Sequence, residues 1–214
     1  MQNKSIKQYL EYLHLSGIQD VFIKPKPKIN KSELLKTLEE KYNNCSACAL
    51  HKGRNKFCYG NGNADAKLLI IGEAPGADED RKGEVFVGRS GQLLTKMLQA
   101  INLSRDEVYI TNIVKCRPPE NRNPNPDEKR SCLPYLEEQI SIIQPELILM
   151  LGKVAAETLL GVQQTLTVFR QKTHIYKGLK TFVSYHPSAL LRNPNWKKFA
   201  WIDLQNLQKE YRKN

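Results

Sequence analysis

The chain has 214 residues, of which 40% are hydrophobic and 26% charged, a composition typical of a globular protein with one domain, or one domain and an extension. Its formal net charge of +11 favours a polyanionic partner, either nucleic acid or an anionic membrane surface, and a role in solubility alone is the alternative. No apolar run approaches the roughly 20 residues of a membrane-spanning helix, and the polar N-terminus does not resemble a secretory signal, so we expect a cytoplasmic protein that binds no membrane.

The first 41 residues are predicted to form a helical extension. Residues 5–22 have the pattern of a short amphipathic helix, and the sequence KPKPK at 24–28 is incompatible with a helix and typical of a linker. Asn30 and Glu33 have the spacing of a capping box, which predicts a second helix. We assign residues 42–214 to the main domain.

The main domain contains short apolar runs of the kind that form strands buried on both faces. They are KLLIIG (67–72), VYITNIV (108–114), LILMLG (147–152) and TFVSYH (181–186). Helical patterns separate these runs, and the last helix is expected over about 195–212. Alternating strands and helices predict an α/β domain with a parallel sheet covered on both faces.

Three of these predicted strands are followed by, or end in, polar side chains. Glu73 lies in GEAPGADED after the first strand, Asn112 near the end of the second, and His186 at the end of the fourth. Ligands of such sheets bind at the carboxyl ends of the strands. We therefore expect a carboxylate, a carboxamide and an imidazole to meet at one edge of the sheet.

Four of the five cysteines have the pattern of a metal site. Cys45 and Cys48 form a C-x-x-C pair, while Cys116 and Cys132 flank fifteen residues of which many are Pro, Asn or charged. In a reducing compartment such cysteines favour metal binding over disulfides. Their spacing allows zinc or an iron–sulfur cluster, and ordinary buried cysteines are the alternative. Cys58 is interpreted as a spare thiol.

The stretch beside Cys116 is strongly basic, with Arg117, Arg122, Lys129 and Arg130. Because this segment has few apolar residues, we expect the metal site to replace a core and to hold the basic loop where it meets a partner.

Taken together, the motifs of this sequence resemble those of the type-4 uracil-DNA glycosylases, a family with a [4Fe-4S] cluster. The matching stretches are CSAC (45–48), GEAPGADED (72–80), GEVFVGRSGQLL (83–94), TNIVKCRPPENRNP (111–124), Cys132, LGKVAAETLLG (151–161) and HPSALLRN (186–193). They cover about residues 42–212 in the family's order. One departure is Val85, which stands where members usually have proline.

The resemblance implies a three-layer α/β/α domain around a four-stranded parallel sheet, with Cys45, Cys48, Cys116 and Cys132 as ligands of the [4Fe-4S] cluster. It also implies a monomeric, monofunctional glycosylase of base excision repair, whose partner is uracil-containing DNA. Such an enzyme flips the base out of the duplex and hydrolyses its N-glycosidic bond, which leaves an abasic site.

The transition state of this reaction requires negative charge near a cationic sugar and hydrogen-bond donors near the departing uracil. Glu73 is the candidate for the first role, by orienting water or stabilising the sugar, and His186 is the candidate donor to a uracil carbonyl. Asn112 is expected to read the base, because a carboxamide pairs with both O4 and N3–H of uracil.

The remaining site residues follow from the resemblance. Phe86 is expected to stack on the flipped base, backbone groups at Gly72 to help bind the ring, and Glu79 to form the wall that excludes the thymine methyl group. In HPSALLRN, the DNA-binding residues are Ser188, Leu190, Leu191 and Arg192, with either leucine as the wedge that fills the gap in the duplex.

Two other functions compete with this one. A non-catalytic iron–sulfur protein that binds DNA or transfers electrons would have the same cysteines but no need of Glu73, Asn112 and His186. A relative that binds uracil covalently would have a basic insertion after FVG, whereas FVGRSGQLL continues here without one. The N-terminal extension is a candidate binding segment for a replication or repair protein.

Overall fold

A computed structural model describes residues 2–18 and 30–213, with side chains described from residue 8 onward. The predicted linker at 24–28 and the end of the first predicted helix lie outside these ranges. The chain divides into two compact units, residues 1–30 and residues 31–214. The first contains helix α1 (Gln2–Leu15), on which large apolar side chains such as Tyr9 and Tyr12 are exposed.

The second unit begins at Lys31, earlier than the predicted division at residue 42. The reason is helix α2 (Lys31–Tyr42), which packs against helix α5 (Pro126–Ile143). Leu35 of α2 is buried, and the hydroxyl of Tyr42 donates to Glu138 at 2.8 Å. These contacts join α2 to the main core.

One sheet forms the centre of this unit. Its strands are β1 (Asn61–Gly62), β2 (Leu68–Gly72), β3 (Val108–Asn112), β4 (Leu147–Leu151), β5 (His174–Tyr176) and β6 (Leu179–Ser184), in the order β1-β3-β2-β4-β6-β5. The four inner strands are parallel, and the predicted α/β class is confirmed. The sheet has six strands and not four, because β1 and β5 add short antiparallel edges.

Helices cover both faces of the sheet. Besides α2 and α5, they are α3 (Ala77–Lys82), α4 (Arg89–Ala100), α6 (Lys153–Leu160), α7 (Leu166–Arg170), α8 (Pro187–Arg192) and α9 (Lys197–Tyr211). Successive residues of a strand point to opposite faces. Leu69 and Ile71 accordingly join a core with α5 and α6, whereas Leu68 and Ile70 join a second core with α4 and α9.

Local signals explain several helix ends. Pro126 occupies the first turn of α5, and the backbone N–H of Asn125 donates to the Glu128 carboxylate at 2.7 Å, as in a capping box. Helix α6 ends at Gly161, which has a left-handed conformation with φ of 69°. Within the described residues, no helix is both long enough and apolar enough to cross a membrane.

Candidate active site

A cavity of about 510 Å³ opens at the carboxyl edge of the sheet. Glu73, Asn112 and His186 all line it, so the structure brings together the three polar groups predicted to meet there. Other residues named from the sequence also line this cavity: Glu79, Phe86, Ser188, Arg122 and Arg192. The topology explains this convergence, because β2, β3 and β6 are parallel and end at the same edge.

Asn112 lines this cavity and has a side-chain oxygen without a hydrogen-bond partner. Its side chain is 1% exposed, and the buried Oδ1 atom has no hydrogen-bond partner. A buried polar atom without a partner costs about 1–3 kcal/mol. Such a cost is typical of a group that is completed by a ligand.

Gly72 permits Asn112 to occupy this position. A β-carbon at residue 72 would lie 2.4 Å from Asn112 Oδ1 and 2.6 Å from the Cζ atom of Phe86. Only glycine at position 72 leaves room for the side chains of both Asn112 and Phe86. The absence of a side chain at Gly72 therefore matters for the site as well as its backbone groups.

Phe86 has a strained backbone, with φ of 52°, which is unusual for an aromatic residue. The guanidinium of Arg105 holds it, donating to the Phe86 carbonyl at 3.1 Å and to the Val85 carbonyl at 3.0 Å. Gly91 allows close approach, because a β-carbon there would lie 1.7 Å from Phe86 O. The Phe86 ring thereby lies 5.5 Å from the His186 ring.

Glu79 fixes the same loop from the other side. Its Oε1 atom accepts from the backbone N–H groups of Val87 at 2.9 Å and Gly88 at 2.8 Å, and Oε2 accepts from Gly76 at 3.2 Å. The buried carboxylate therefore joins the loop of Phe86 to the first turn of α3. Glu79 also lines the cavity, which is compatible with its predicted role as the wall that excludes the thymine methyl group. Most of its hydrogen bonds, however, hold the loop of Phe86.

His186 precedes α8 and acts as its N-terminal cap. The backbone N–H of Ser188 donates to His186 Nδ1 at 3.2 Å, and the Ser188 hydroxyl lies 2.8 Å from the same nitrogen. Burial, together with the nearby positive charge of Arg192, lowers the pKa of His186 to about 4. The imidazole is consequently neutral at pH 7.

Glu73 is half-buried at the edge of the cavity. Burial raises the pKa of its carboxyl group above the ordinary value, and the positive charge of Lys129 acts in the opposite direction. The backbone carbonyl of Glu73 accepts from the Val114 N–H at 3.1 Å, which fixes the residue beyond the end of β2.

Lys115 is a buried residue that the sequence analysis did not identify. Its Nζ atom donates to Thr111 Oγ1 at 2.6 Å, to Gln139 Oε1 at 2.7 Å and to the Asn112 carbonyl at 2.8 Å. Burial lowers the pKa of Lys115 to about 7, and the nearby Cys132 and Cys58 act in the opposite direction. This network fixes the backbone from which the Asn112 side chain projects.

The two candidate wedge residues differ in exposure. Leu190 is 1% exposed and belongs to the core between α4 and the sheet, so it cannot leave the protein to enter DNA. Leu191 is half-buried, and Arg192, the next residue, is exposed beside the cavity. The prediction of a wedge therefore rests on Leu191 alone.

Part of the basic loop is neutralised within the protein. Arg122 forms two hydrogen bonds with the Glu128 carboxylate, at 2.8 Å and 2.6 Å, and Arg130 pairs with Asp127. Arg117 donates to Asn121 Oδ1 at 2.9 Å. These contacts give the loop a defined shape that sequence alone did not predict.

The four spaced cysteines line one small cavity, next to Arg54 and Tyr135. Three of them have donors directed at sulfur: Ala47 N–H to Cys45 at 3.4 Å, Arg54 to Cys116 at 3.3 Å, and Lys115 N–H to Cys132 at 3.3 Å. N–H donors at sulfur suit thiolate ligands. Among the described residues, no group of three or more His, Cys, Asp or Glu side chains has the arrangement of a metal site. Burial raises the pKa of the Cys132 thiol to about 12.

Comparison with known proteins identifies related chains. The family model described as the uracil DNA glycosylase superfamily matches residues 59–205. A type-4 uracil-DNA glycosylase of Archaeoglobus fulgidus is 42% identical over 171 residues, covering 76% of this chain and 86% of the relative. One of Thermotoga maritima is 39% identical over 181 residues, covering 84% and 94%. A type-5 uracil-DNA glycosylase of Pyrobaculum aerophilum is 33% identical over 146 residues, covering 60% and 64%.

Proposed function

The chain belongs to the type-4 uracil-DNA glycosylase family, and from this premise we propose that it removes uracil from DNA by hydrolysing the N-glycosidic bond in base excision repair. The product is an abasic site, and the enzyme is a monofunctional hydrolase. The observation that carries the proposal is the unpartnered, buried Oδ1 atom of Asn112 in the wall of a 510 Å³ cavity.

Uracil satisfies the Asn112 side chain in this proposal. The carboxamide accepts from uracil N3–H through Oδ1 and donates to O4 through its amide group. Cytosine presents an acceptor at N3 and a donor at its exocyclic amine, so both contacts would fail. Phe86 stacks on the flipped ring, and the backbone near Gly72 lies against its edge, while Glu79 holds the Phe86 loop.

Bond cleavage requires opposite electrostatic environments on the two sides of the bond. The Glu73 carboxylate stabilises the cationic sugar and orients the attacking water. His186 donates from Nε2 to the uracil O2 as negative charge develops on the leaving base. A neutral imidazole suits this role because its proton stays on Nε2 when Nδ1 accepts from Ser188.

DNA binding is assigned to the rim of the cavity. Leu191 enters the duplex in place of the flipped base, Arg192 contacts a phosphate, and Ser188 contacts DNA while it holds His186. The net charge of +11 supports binding to a polyanion.

We further propose a [4Fe-4S] cluster held by Cys45, Cys48, Cys116 and Cys132. The support is a donor set of four cysteines around one cavity, with three N–H groups directed at sulfur. Bound metal would deprotonate these thiols. The cluster would supply a covalent link between residues 45–48 and both ends of the basic loop, and so hold that loop beside the active site.

We assign catalysis to residues 42–214, which contain every proposed site residue, and propose that the enzyme is a cytoplasmic monomer. Residues 1–41 are proposed to bind a replication or repair protein through α1, whose exposed apolar side chains are compatible with this role, whereas α2 packs against the main core.

The decisive experiment uses oligonucleotides with uracil, thymine or cytosine at one position. Purified protein is added, and alkali then cleaves abasic sites. We expect strand cleavage only at uracil, together with release of the free base. A protein that binds the uracil strand without cleaving it, while retaining iron and sulfide, would favour the non-catalytic alternative.

A further inference from the structure

The start of helix α9 exposes aromatic side chains next to the proposed DNA-binding edge. Trp196 is 39% exposed and Phe199 is 38% exposed. Helix α9 runs antiparallel to β6, because Asp203 accepts from Ser184 Oγ at 2.7 Å near the end of β6 whereas Glu210 pairs with Lys180 near its beginning. The first turn of α9 therefore lies at the carboxyl edge of the sheet, the edge on which the active-site cavity opens.

These rings are held in place by neighbouring side chains. The Trp196 ring lies 5.2 Å from the Tyr185 ring, and the Arg170 guanidinium lies 4.4 Å from Tyr185 and 5.7 Å from Phe199. Arg170 is fixed in turn by Asp203, at 2.6 Å and 2.9 Å. Because the rings are already ordered, little conformational entropy is lost when a ligand stacks on them.

The surroundings of these rings are positively charged. Arg192, Lys197 and Lys198 are exposed, and Lys198 Nζ lies 5.1 Å from the centre of the Phe199 ring. The acidic residue in this part of α9, Asp203, is buried against Arg170. The surface is also continuous with α8, since Trp196 N–H donates to the Asn193 carbonyl at 3.0 Å, one residue beyond Arg192.

We propose that Trp196, Lys198 and Phe199, here called the aromatic–basic surface, bind single-stranded DNA next to the flipped uracil, with an unpaired base stacked on Trp196 and a phosphate on Lys198. This inference rests on the proposed function and extends it to the form of the substrate. Ordered aromatic rings combined with cations are how proteins bind single strands. In a duplex the faces of the bases are already stacked on one another, so stacking on Trp196 should contribute less to the binding of duplex DNA.

The chain contains two tryptophans, which allows a direct optical test. Trp201→Phe leaves Trp196 as the only tryptophan, and Trp196→Phe leaves Trp201. Trp201 is 41% exposed and lies two positions after Phe199, about 200° around the helix, so it is a matched control on the opposite flank.

The probe is a single-stranded oligonucleotide with an uncleavable uracil analogue, and its binding is followed separately by fluorescence anisotropy. We expect this oligonucleotide to quench Trp196 emission in Trp201→Phe and to leave Trp201 emission unchanged in Trp196→Phe. The matching duplex should quench Trp196 less. Binding of the single strand without quenching of Trp196 would overturn the proposal. Because Trp201→Phe changes none of the three residues of the aromatic–basic surface, this test examines the surface unaltered.

Affinity measurements provide a second test. Trp196→Ala should weaken single-strand binding by about 5- to 150-fold, the range for loss of one stacked base, with a smaller effect on the duplex. Lys198→Gln should reduce the slope of log affinity against log salt by about 0.7 for single strands. Equal losses of affinity for the single strand and the duplex would contradict the proposal. Unchanged binding to both DNA forms would also contradict it and is the result expected if this surface binds a protein. Uracil excision by the wild-type enzyme tests the proposed function independently of these outcomes.

Discussion

The backbone N–H of Ser188 donates to Nδ1 of His186 at 3.2 Å. A ring nitrogen that accepts from an N–H group carries no proton, so the neutral imidazole has its proton on Nε2. Burial lowers the pKa of His186 to about 4, which keeps the ring neutral at the pH of the cell. The cap of a short helix thus determines which hydrogen-bond donor is available for the departing base.

His186→Ala should slow the single-turnover rate while leaving affinity for an uncleavable analogue nearly unchanged, because the lost contact forms mainly in the transition state. We expect a loss of about 2–4 kcal/mol of transition-state stabilisation. His174 on the edge strand β5 is a control, and His174→Ala should cleave normally. Cleavage by His186→Ala at the wild-type rate would remove His186 from the mechanism.

The pH dependence of the rate should report Glu73. Burial raises the pKa of this carboxyl group, so a mechanism that needs the carboxylate loses rate as the pH falls through that raised value. The pKa of His186 is about 4 and therefore lower, which assigns the first decrease on the acid side to Glu73. Glu73→Gln should be slow and should lack this decrease.

Lys129 offers a matched test of the same assignment. Its positive charge lowers the pKa of Glu73, so Lys129→Gln should move the acid side of the rate profile to higher pH. Single-turnover rates across pH measure both effects. An acid limb that persists in Glu73→Gln and does not move in Lys129→Gln would show that another group titrates.

The convergence of Glu73, Asn112 and His186 was predictable because it depends on the direction of four buried strands, and buried strands have a clear apolar pattern. The edge strands β1 and β5 were not predictable, since segments of two and three residues carry no periodic signal. The conformation of Phe86 depends on Arg105, nineteen residues away, and such long-range hydrogen bonds leave no trace in local sequence. Leu190 and Leu191 are adjacent and chemically identical, so only packing distinguishes them.

The cysteine assignment predicts different effects for two buried cysteines. Cys116→Ser should lose iron and sulfide, lower the melting temperature and weaken DNA binding, because the basic loop loses its attachment. Cys58→Ser should retain the cluster, since Cys58 lies apart from the four-cysteine cavity and its thiol donates to the Glu79 carbonyl at 3.2 Å. Anaerobic purification followed by iron and sulfide analysis measures this. One zinc and no sulfide in the wild-type protein would contradict the cluster.

Asn112 is expected to determine which base is removed. Its Oδ1 atom is buried and unpartnered, and Lys115 Nζ donates to the Asn112 backbone carbonyl at 2.8 Å, which fixes the backbone from which the carboxamide projects. Cytosine would leave two buried polar groups unsatisfied, at about 1–3 kcal/mol each. Asn112→Ala should therefore lose uracil activity while its cluster content and melting temperature remain those of the wild type.

Asn112→Asp provides the sharper test, because it reverses part of the hydrogen-bonding pattern. A protonated carboxyl group can donate to cytosine N3 while its other oxygen accepts from the N4 amino group. Cytosine excision should then appear, remain slow, and increase as the pH falls, until protonation of Glu73 stops the reaction. The measurement is excision from matched oligonucleotides with uracil or cytosine across pH. If Asn112→Ala instead keeps full uracil activity and selectivity, Asn112 does not read the base, and backbone groups near Gly72 must account for the choice of uracil.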